Sequence, residues 1–143
     1  ALTPLSPLPP CWIVLCKPRF SLSTPALFRA WDRGKRRLRP DTKGILLALE
    51  AGDLVEVARR MFNVFEGVLP PTQQREIESI KTALLTAGAL GAAMSGSGPT
   101  VFGVFREKAL AESAVALLRE DYEEVFLTEP LSGPLPALRE TQV

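Results

Sequence analysis

Leu90-Gly91-Ala92-Ala93-Met94-Ser95-Gly96-Ser97-Gly98-Pro99-Thr100-Val101-Phe102-Gly103-Val104-Phe105 is the stretch that decides the fold. Leu90 to Met94 and Thr100 to Phe105 are short apolar runs of strand length. Between them, Ser95 to Pro99 concentrates the residues that turn a chain. Two strands joined by so short a loop must lie antiparallel, so a hairpin is expected here.

Outward from this hairpin, the chain alternates helical and extended signals. Glu107 to Glu120 has the period of an amphipathic helix, with Leu110, Ala114, Leu117 and Leu118 expected inward, and Val125 to Thr128 reads as a last strand. Upstream, Thr72 is positioned to cap a helix running to about Ala87. Ile77, Ile80, Leu84 and Leu85 lie on its inner face, and Gly88 offers a left-handed stop. Asp53-Leu54-Val55-Glu56 resembles a capping box, opening a helix that carries Leu54, Val57, Ala58, Met61, Phe62 and Phe65. Asp41 caps another, with Ile45, Leu46 and Leu49, closed by Gly52. Ser23 or Thr24 caps a further helix within Phe20 to Asp32, where Pro25 suits the first turn and Leu27, Phe28 and Trp31 follow. Trp12 to Lys17 is a strand stopped by Pro18. Two βα units around an antiparallel hairpin predict a two-layer α+β sandwich of the ferredoxin-like kind, its helices packed on one face of an antiparallel sheet.

The chain has 143 residues, enough for one domain that buries roughly 70% of its unfolded surface without a disulfide or metal. Its net charge of +1 gives no general attraction to nucleic acid or to a membrane surface. No apolar run approaches the length of a membrane span. The absence of histidine excludes a Ser-His-Asp triad, a Cys-His pair and a histidine zinc site. Cys11 and Cys16, the two cysteines, point to opposite faces of a strand and so neither share a metal nor bridge. Reduced thiols and a cytoplasmic location are expected. Leu2 to Pro10 is studded with proline and reads as a linker or interdomain crossing over 1–10, ahead of a domain at 11–129. A proline-rich tail at 130–143 is expected to be flexible.

Three segments carry possible chemistry. Gly96 and Gly98 allow bare backbone amides to form an anion nest, and Ser95, Ser97 and Thr100 add hydroxyl donors. A ligand-free hairpin turn accounts for the same residues. The loop lacks the Gly-Lys-Ser/Thr ending of a P-loop and the third glycine of a dinucleotide fingerprint. Ser21 to Phe28 begins a helix with free amides, and Phe28 one turn on is either a stacking ring or core. Arg33 to Arg39 is a basic run without interleaved aromatics, read as a solvated loop. Asp32, Asp41 and Asp53 fit cap or helix-end roles, and no paired carboxylates or metal cluster stand out.

Leu90 to Gly103 resembles the third conserved motif of the GHMP kinases, the superfamily of galactokinase, homoserine kinase, mevalonate kinase and phosphomevalonate kinase. Pro10 to Leu15, Lys17-Pro18, Ser21 to Phe28, Asn63 to Glu66 and Ile80 to Gly88 extend the resemblance over nearly the whole chain, the basic loop and tail excepted. The Ser-Thr-Pro-x-x-Phe segment from Ser23 to Phe28 points, within the superfamily, to phosphorylation of a diphosphocytidyl-linked polyol in non-mevalonate isoprenoid synthesis. The resemblance implies a C-terminal domain. The lysine, long phosphate loop and catalytic aspartate of the family belong to an N-terminal domain without counterpart here. No catalytic residue and no metal ligand is therefore expected in this chain, which alone should be inactive and bind no cofactor. The parent enzyme would use ATP and Mg²⁺. By position, Thr24 and Pro25 would line the diphosphocytidyl site and Phe28 would form one face of an aromatic sandwich on cytosine. Ser95, Gly96, Ser97 and Gly98 would support the ATP phosphate loop of the partner domain. Another GHMP kinase, such as homoserine kinase, and a stand-alone ferredoxin-like ligand-binding module are the alternatives.

Overall fold

A computed structural model describes residues 5–33, 41–95 and 99–130, the side chains of Thr24, Leu27 and Arg33 excepted. Strands β1 (Trp12–Cys16), β2 (Gly91–Met94), β3 (Val101–Phe105) and β4 (Val125–Thr128) form one antiparallel sheet in the order β2-β3-β1-β4. The expected hairpin is β2-β3, with Met94 opposite Val101 and Ala92 opposite Gly103. This is the ferredoxin-like order. The helices are α1 (Thr24–Arg33), α2 (Thr42–Ala51), α3 (Leu54–Arg59), α4 (Pro71–Thr86) and α5 (Lys108–Leu118), with a 3₁₀ turn at Val64–Val68 between α3 and α4.

Alternation along the strands sorts their side chains between two faces. Val14, Cys16, Met94, Val101, Phe105 and Val125 point to the face covered by α4 and α5 and join Ile77, Ile80, Leu84, Ala111, Ala114 and Leu118 in the main core. Helix α3 adds a smaller patch on the opposite face. There Leu54 and Ala58 meet Val104 and Cys11, with Leu8 alongside. Its close approach requires Gly91, because a Cβ there would overlap the carbonyl of Ala58. Cys11 and Cys16 are both free and buried, one in each cluster, so the opposite-face reading holds.

Several helix boundaries differ from expectation. Helix α1 starts at Thr24 with Ser23, one of the two expected caps, ahead of it: the Ser23 Oγ accepts the Ala26 N–H at 3.3 Å. The helix expected from Leu54 through Phe65 ends at Arg59. Asn63 turns its own side chain onto the Phe65 N–H at 2.9 Å and opens the separate 3₁₀ turn. A short polar side chain thus competes with the helix for backbone partners and wins. Thr72 is not a cap: Pro70 precedes α4, Pro71 is its first residue, and no side chain caps it. In α5 the inner face is Ala111, Ala114, Val115 and Leu118, while Leu110 and Leu117 are exposed. Asp41 and Asp53 cap as expected, through the N–H groups of Gly44 and Glu56. Gly52 closes α2 at φ 68°.

The link from β1 to α1 is held by Arg19. Its backbone N–H donates to Glu76 Oε2 at 2.9 Å, and its guanidinium donates to the Asp121 carbonyl at 2.6 Å while lying over the Tyr122 ring. That anchorage fixes where the chain enters α1, and hence where Phe28 stands. The basic run beyond Arg33 and the tail from residue 131 lie outside the described residues.

Candidate functional site

Phe28 projects from the first turns of α1 and is 50% exposed, so it is a surface ring and not core. It is held from one side. The Phe65 ring lies 5.0 Å from it, centroid to centroid, at 81°, in edge-to-face contact. Trp31, one turn along α1, meets the same Phe65 at 6.3 Å and 69°. One ring of the 3₁₀ turn therefore serves two rings of α1. Pro25 is exposed in the first turn. Thr24 opens the helix, and its side chain lies outside the described residues.

Of the loop residues, Ser95 is exposed, and its N–H donates to the Thr100 carbonyl at 2.7 Å, closing the loop at its base. Gly96, Ser97 and Gly98 lie outside the described residues. A cleft of about 470 Å³ lies beside the base of the loop, with Ile45, Phe65, Ala93, Met94, Ser95 and Phe102 among its walls. The structure thus brings Ser95 to a cleft whose wall includes the ring that supports Phe28. A second cleft, of about 420 Å³, has Trp31, Phe62, Asn63, Glu66, Gln74 and Lys81 among its walls.

Sequence reasoning gave Asn63 and Glu66 no role in the site. Both reach the backbone of Met94, the residue before the loop. Asn63 Nδ2 donates to the Met94 carbonyl at 2.8 Å, and Glu66 Oε2 accepts the Met94 N–H at 2.8 Å. Glu66 Oε1 also accepts from Lys81 Nζ at 2.8 Å, in a pair whose side chains are only 22% and 14% exposed on the lysine and glutamate. Gln74 Nε2 donates to the Glu66 carbonyl at 3.0 Å. The sole sequence signal was the presence of Asn63 to Glu66 among the matching segments; the partner lies 28 to 31 positions away.

Among the described residues no group of three acidic or cysteine side chains is placed to hold a metal ion. No helix among them is long and apolar enough to cross a membrane. Chemically, the described residues offer a half-exposed aromatic ring one turn into a helix, and a cleft with the exposed Ser95 in its wall.

The family model described as GHMP kinases C terminal matches residues 45–124. The chain belongs to this family. Among curated proteins, it is 41% identical over 92% of its length to a 4-diphosphocytidyl-2-C-methyl-D-erythritol kinase of Lactiplantibacillus plantarum. It is 39% identical, again over 92% of its length, to one of Alkaliphilus metalliredigens. In each case it spans 45% of the relative. Among solved structures, a 4-(cytidine 5'-diphospho)-2C-methyl-D-erythritol kinase superposes with a TM-score of 0.71 at 26% identity, over 92% of this chain and 46% of that one.

Proposed function

We propose that this chain is the C-terminal, substrate-recognising domain of a 4-diphosphocytidyl-2-C-methyl-D-erythritol kinase. The parent enzyme transfers the γ-phosphoryl group of ATP to the 2-hydroxyl of the erythritol unit. The observation that carries the reading is the identity of about two residues in five, over nine-tenths of the chain, with kinases of that name. The half-exposed Phe28 ring, braced by Phe65, supports it from the side of the structure.

On this reading Thr24, Pro25 and Phe28 line the diphosphocytidyl site, and Phe28 takes one face of the cytosine. Ser95 to Gly98 stand beside the ATP phosphate loop of the N-terminal domain, and residues 1–10 are the crossing from that domain. Phosphoryl transfer depends on positioning and charge neutralisation rather than covalent chemistry by the protein. This domain contributes the positioning of the acceptor. On the same reading Mg²⁺ and the catalytic groups belong to the N-terminal half, and the chain alone is inactive.

The test is steady-state kinetics on the two-domain protein with the diphosphocytidyl alcohol. Wild type should phosphorylate it and should not phosphorylate homoserine. Phe28→Ala should raise the KM for the acceptor roughly tenfold, the scale of one base–aromatic stack, with the KM for ATP unchanged. An unaltered acceptor KM removes Phe28 from the site. Turnover of homoserine instead reassigns the enzyme within the family.

A further inference from the structure

Helix α1 carries the Phe28 ring but does little to hold it still. It has ten residues, and none of its described side chains is buried. A helix shorter than about 12–15 residues is marginal by itself in water, so its placement comes from what it docks against. Its entry is anchored by Arg19, and by Phe20 and Leu22 packed on the main core. An anchored entry fixes where a helix begins and leaves open the direction in which it runs. Among the described elements, α1 packs chiefly against the 3₁₀ turn at Val64–Val68. Phe65 makes the contact. Partly buried against the main core, it meets Phe28 at 5.0 Å and Trp31 at 6.3 Å. Phe28 and Trp31 are three apart and so share a helix face, and a ring that touches both sets the direction of α1. The edge-to-face geometry leaves at least one flat face of Phe28 clear of Phe65.

A five-residue 3₁₀ turn is a weak support unless something holds it in turn. Here the sheet does. Strand β2 is an edge strand, and Met94 presents its N–H and C=O away from β3. Glu66 accepts the N–H, and Asn63 donates to the C=O. Asn63 also accepts the Phe65 N–H, so one side chain ties the Phe65 backbone to the sheet. The pairing of Glu66 with Lys81 adds direction more than stability. A largely buried ion pair is about neutral against apolar residues, because both ions lose their hydration. Lys81 fixes one carboxylate oxygen, and the other is left aimed at Met94.

We infer that Phe65 is a positioning residue for the base of the substrate: clamped to Met94 through Asn63 and Glu66, it sets α1 so that a face of Phe28 stands ready for the cytosine. The inference rests on the functional reading above for the identity of the base.

Hydrogen exchange and kinetics test it separately. In the 143-residue chain, exchange at the N–H groups of residues 28–32 should accelerate at least roughly threefold in Phe65→Leu, the scale of one lost aromatic pair. Those of β1 and β3 should stay within about twofold of wild type. Glu66→Ala should act on α1 in the same direction, and Glu66→Gln, which keeps an acceptor for Met94, should restore most of the protection. In the two-domain enzyme, Phe65→Leu should raise the acceptor KM roughly threefold or more, with the KM for ATP within about twofold. The double variant Phe28→Ala/Phe65→Leu should have the acceptor KM of Phe28→Ala alone, because Phe65 acts only through that ring. Unchanged exchange in α1 of Phe65→Leu overturns the inference, and so do losses that add in the double variant. An acceptor KM unaltered by Phe28→Ala strikes the functional reading instead, and the exchange rates still decide whether the turn sets the helix.

Discussion

At the residue scale, two glycines separate space from propensity. Gly91 lies where α3 meets the sheet, and a Cβ there would overlap the Ala58 carbonyl. Neither α3 nor β2 can retreat without opening the patch formed by Leu54, Ala58 and Val104. Gly91→Ala should therefore destabilise the chain by about 1–3 kcal/mol, the usual cost of forcing an extra carbon into a packed site. Gly67 has nothing within 4 Å of the same position, so Gly67→Ala should stay within about 0.5 kcal/mol of wild type. Urea unfolding of both variants checks the pair. Equal losses would mean that chain entropy and not contact sets the cost at Gly91. Phe28 illustrates how far a residue can be read before its surroundings are known. Periodicity placed it with Leu27 and Trp31 and left core and stacking open. Half exposure follows from the position of Phe65, which the chain supplies from a turn 37 residues later.

At the element scale, caps decide boundaries that hydrophobic period leaves ambiguous. Helix α3 has six residues, too few to hold itself, and its first turn depends on Asp53 accepting the Glu56 N–H at 3.2 Å. Asp53→Ala should cost about 1 kcal/mol. Thr72→Ala, at a position where sequence alone suggested a cap, should change stability by less than about 0.5 kcal/mol. Thermal unfolding distinguishes them; a larger loss at Thr72 would restore the cap reading of α4. The strands, the hairpin and all five helices were legible because each carries its own period and punctuation. The stop at Arg59 was not, because Met61, Phe62 and Phe65 continue the helical period and only the Asn63 side chain interrupts it. For the same reason the Met94 clamp stayed hidden. Its signal is a match of two side chains to a distant backbone, and no local pattern encodes that.

At the scale of the whole molecule, the sheet and its two covering helices act as one unit around β1. The strand pairs on both sides, with β3 and β4, and its Cys16 is fully buried beneath the helices. Burial, reinforced by the negative charge of Glu76, pushes the Cys16 thiol from an ordinary value of 9.0 up to about 12. The folded chain then keeps a proton that the unfolded chain has released. Stability is whole below pH 9 and falls as pH rises toward 12, by at most roughly 1.4 kcal/mol per pH unit. Denaturation midpoints between those limits should decline, and Cys16→Val should flatten the decline. An equally steep loss in that variant would assign the effect to other groups.

The placement of Cys16 also gives this chain an internal clock. A thiol packed beneath α4 and α5 meets an alkylating reagent only when those helices leave the sheet, which empties the main core and amounts to global opening of the fold. Its rate of chemical labelling, resolved from that of Cys11 by fragmenting the labelled peptide in the mass spectrometer, therefore counts whole-molecule unfolding events under conditions where the native state dominates. No dye, engineered probe or denaturant is needed to take the reading.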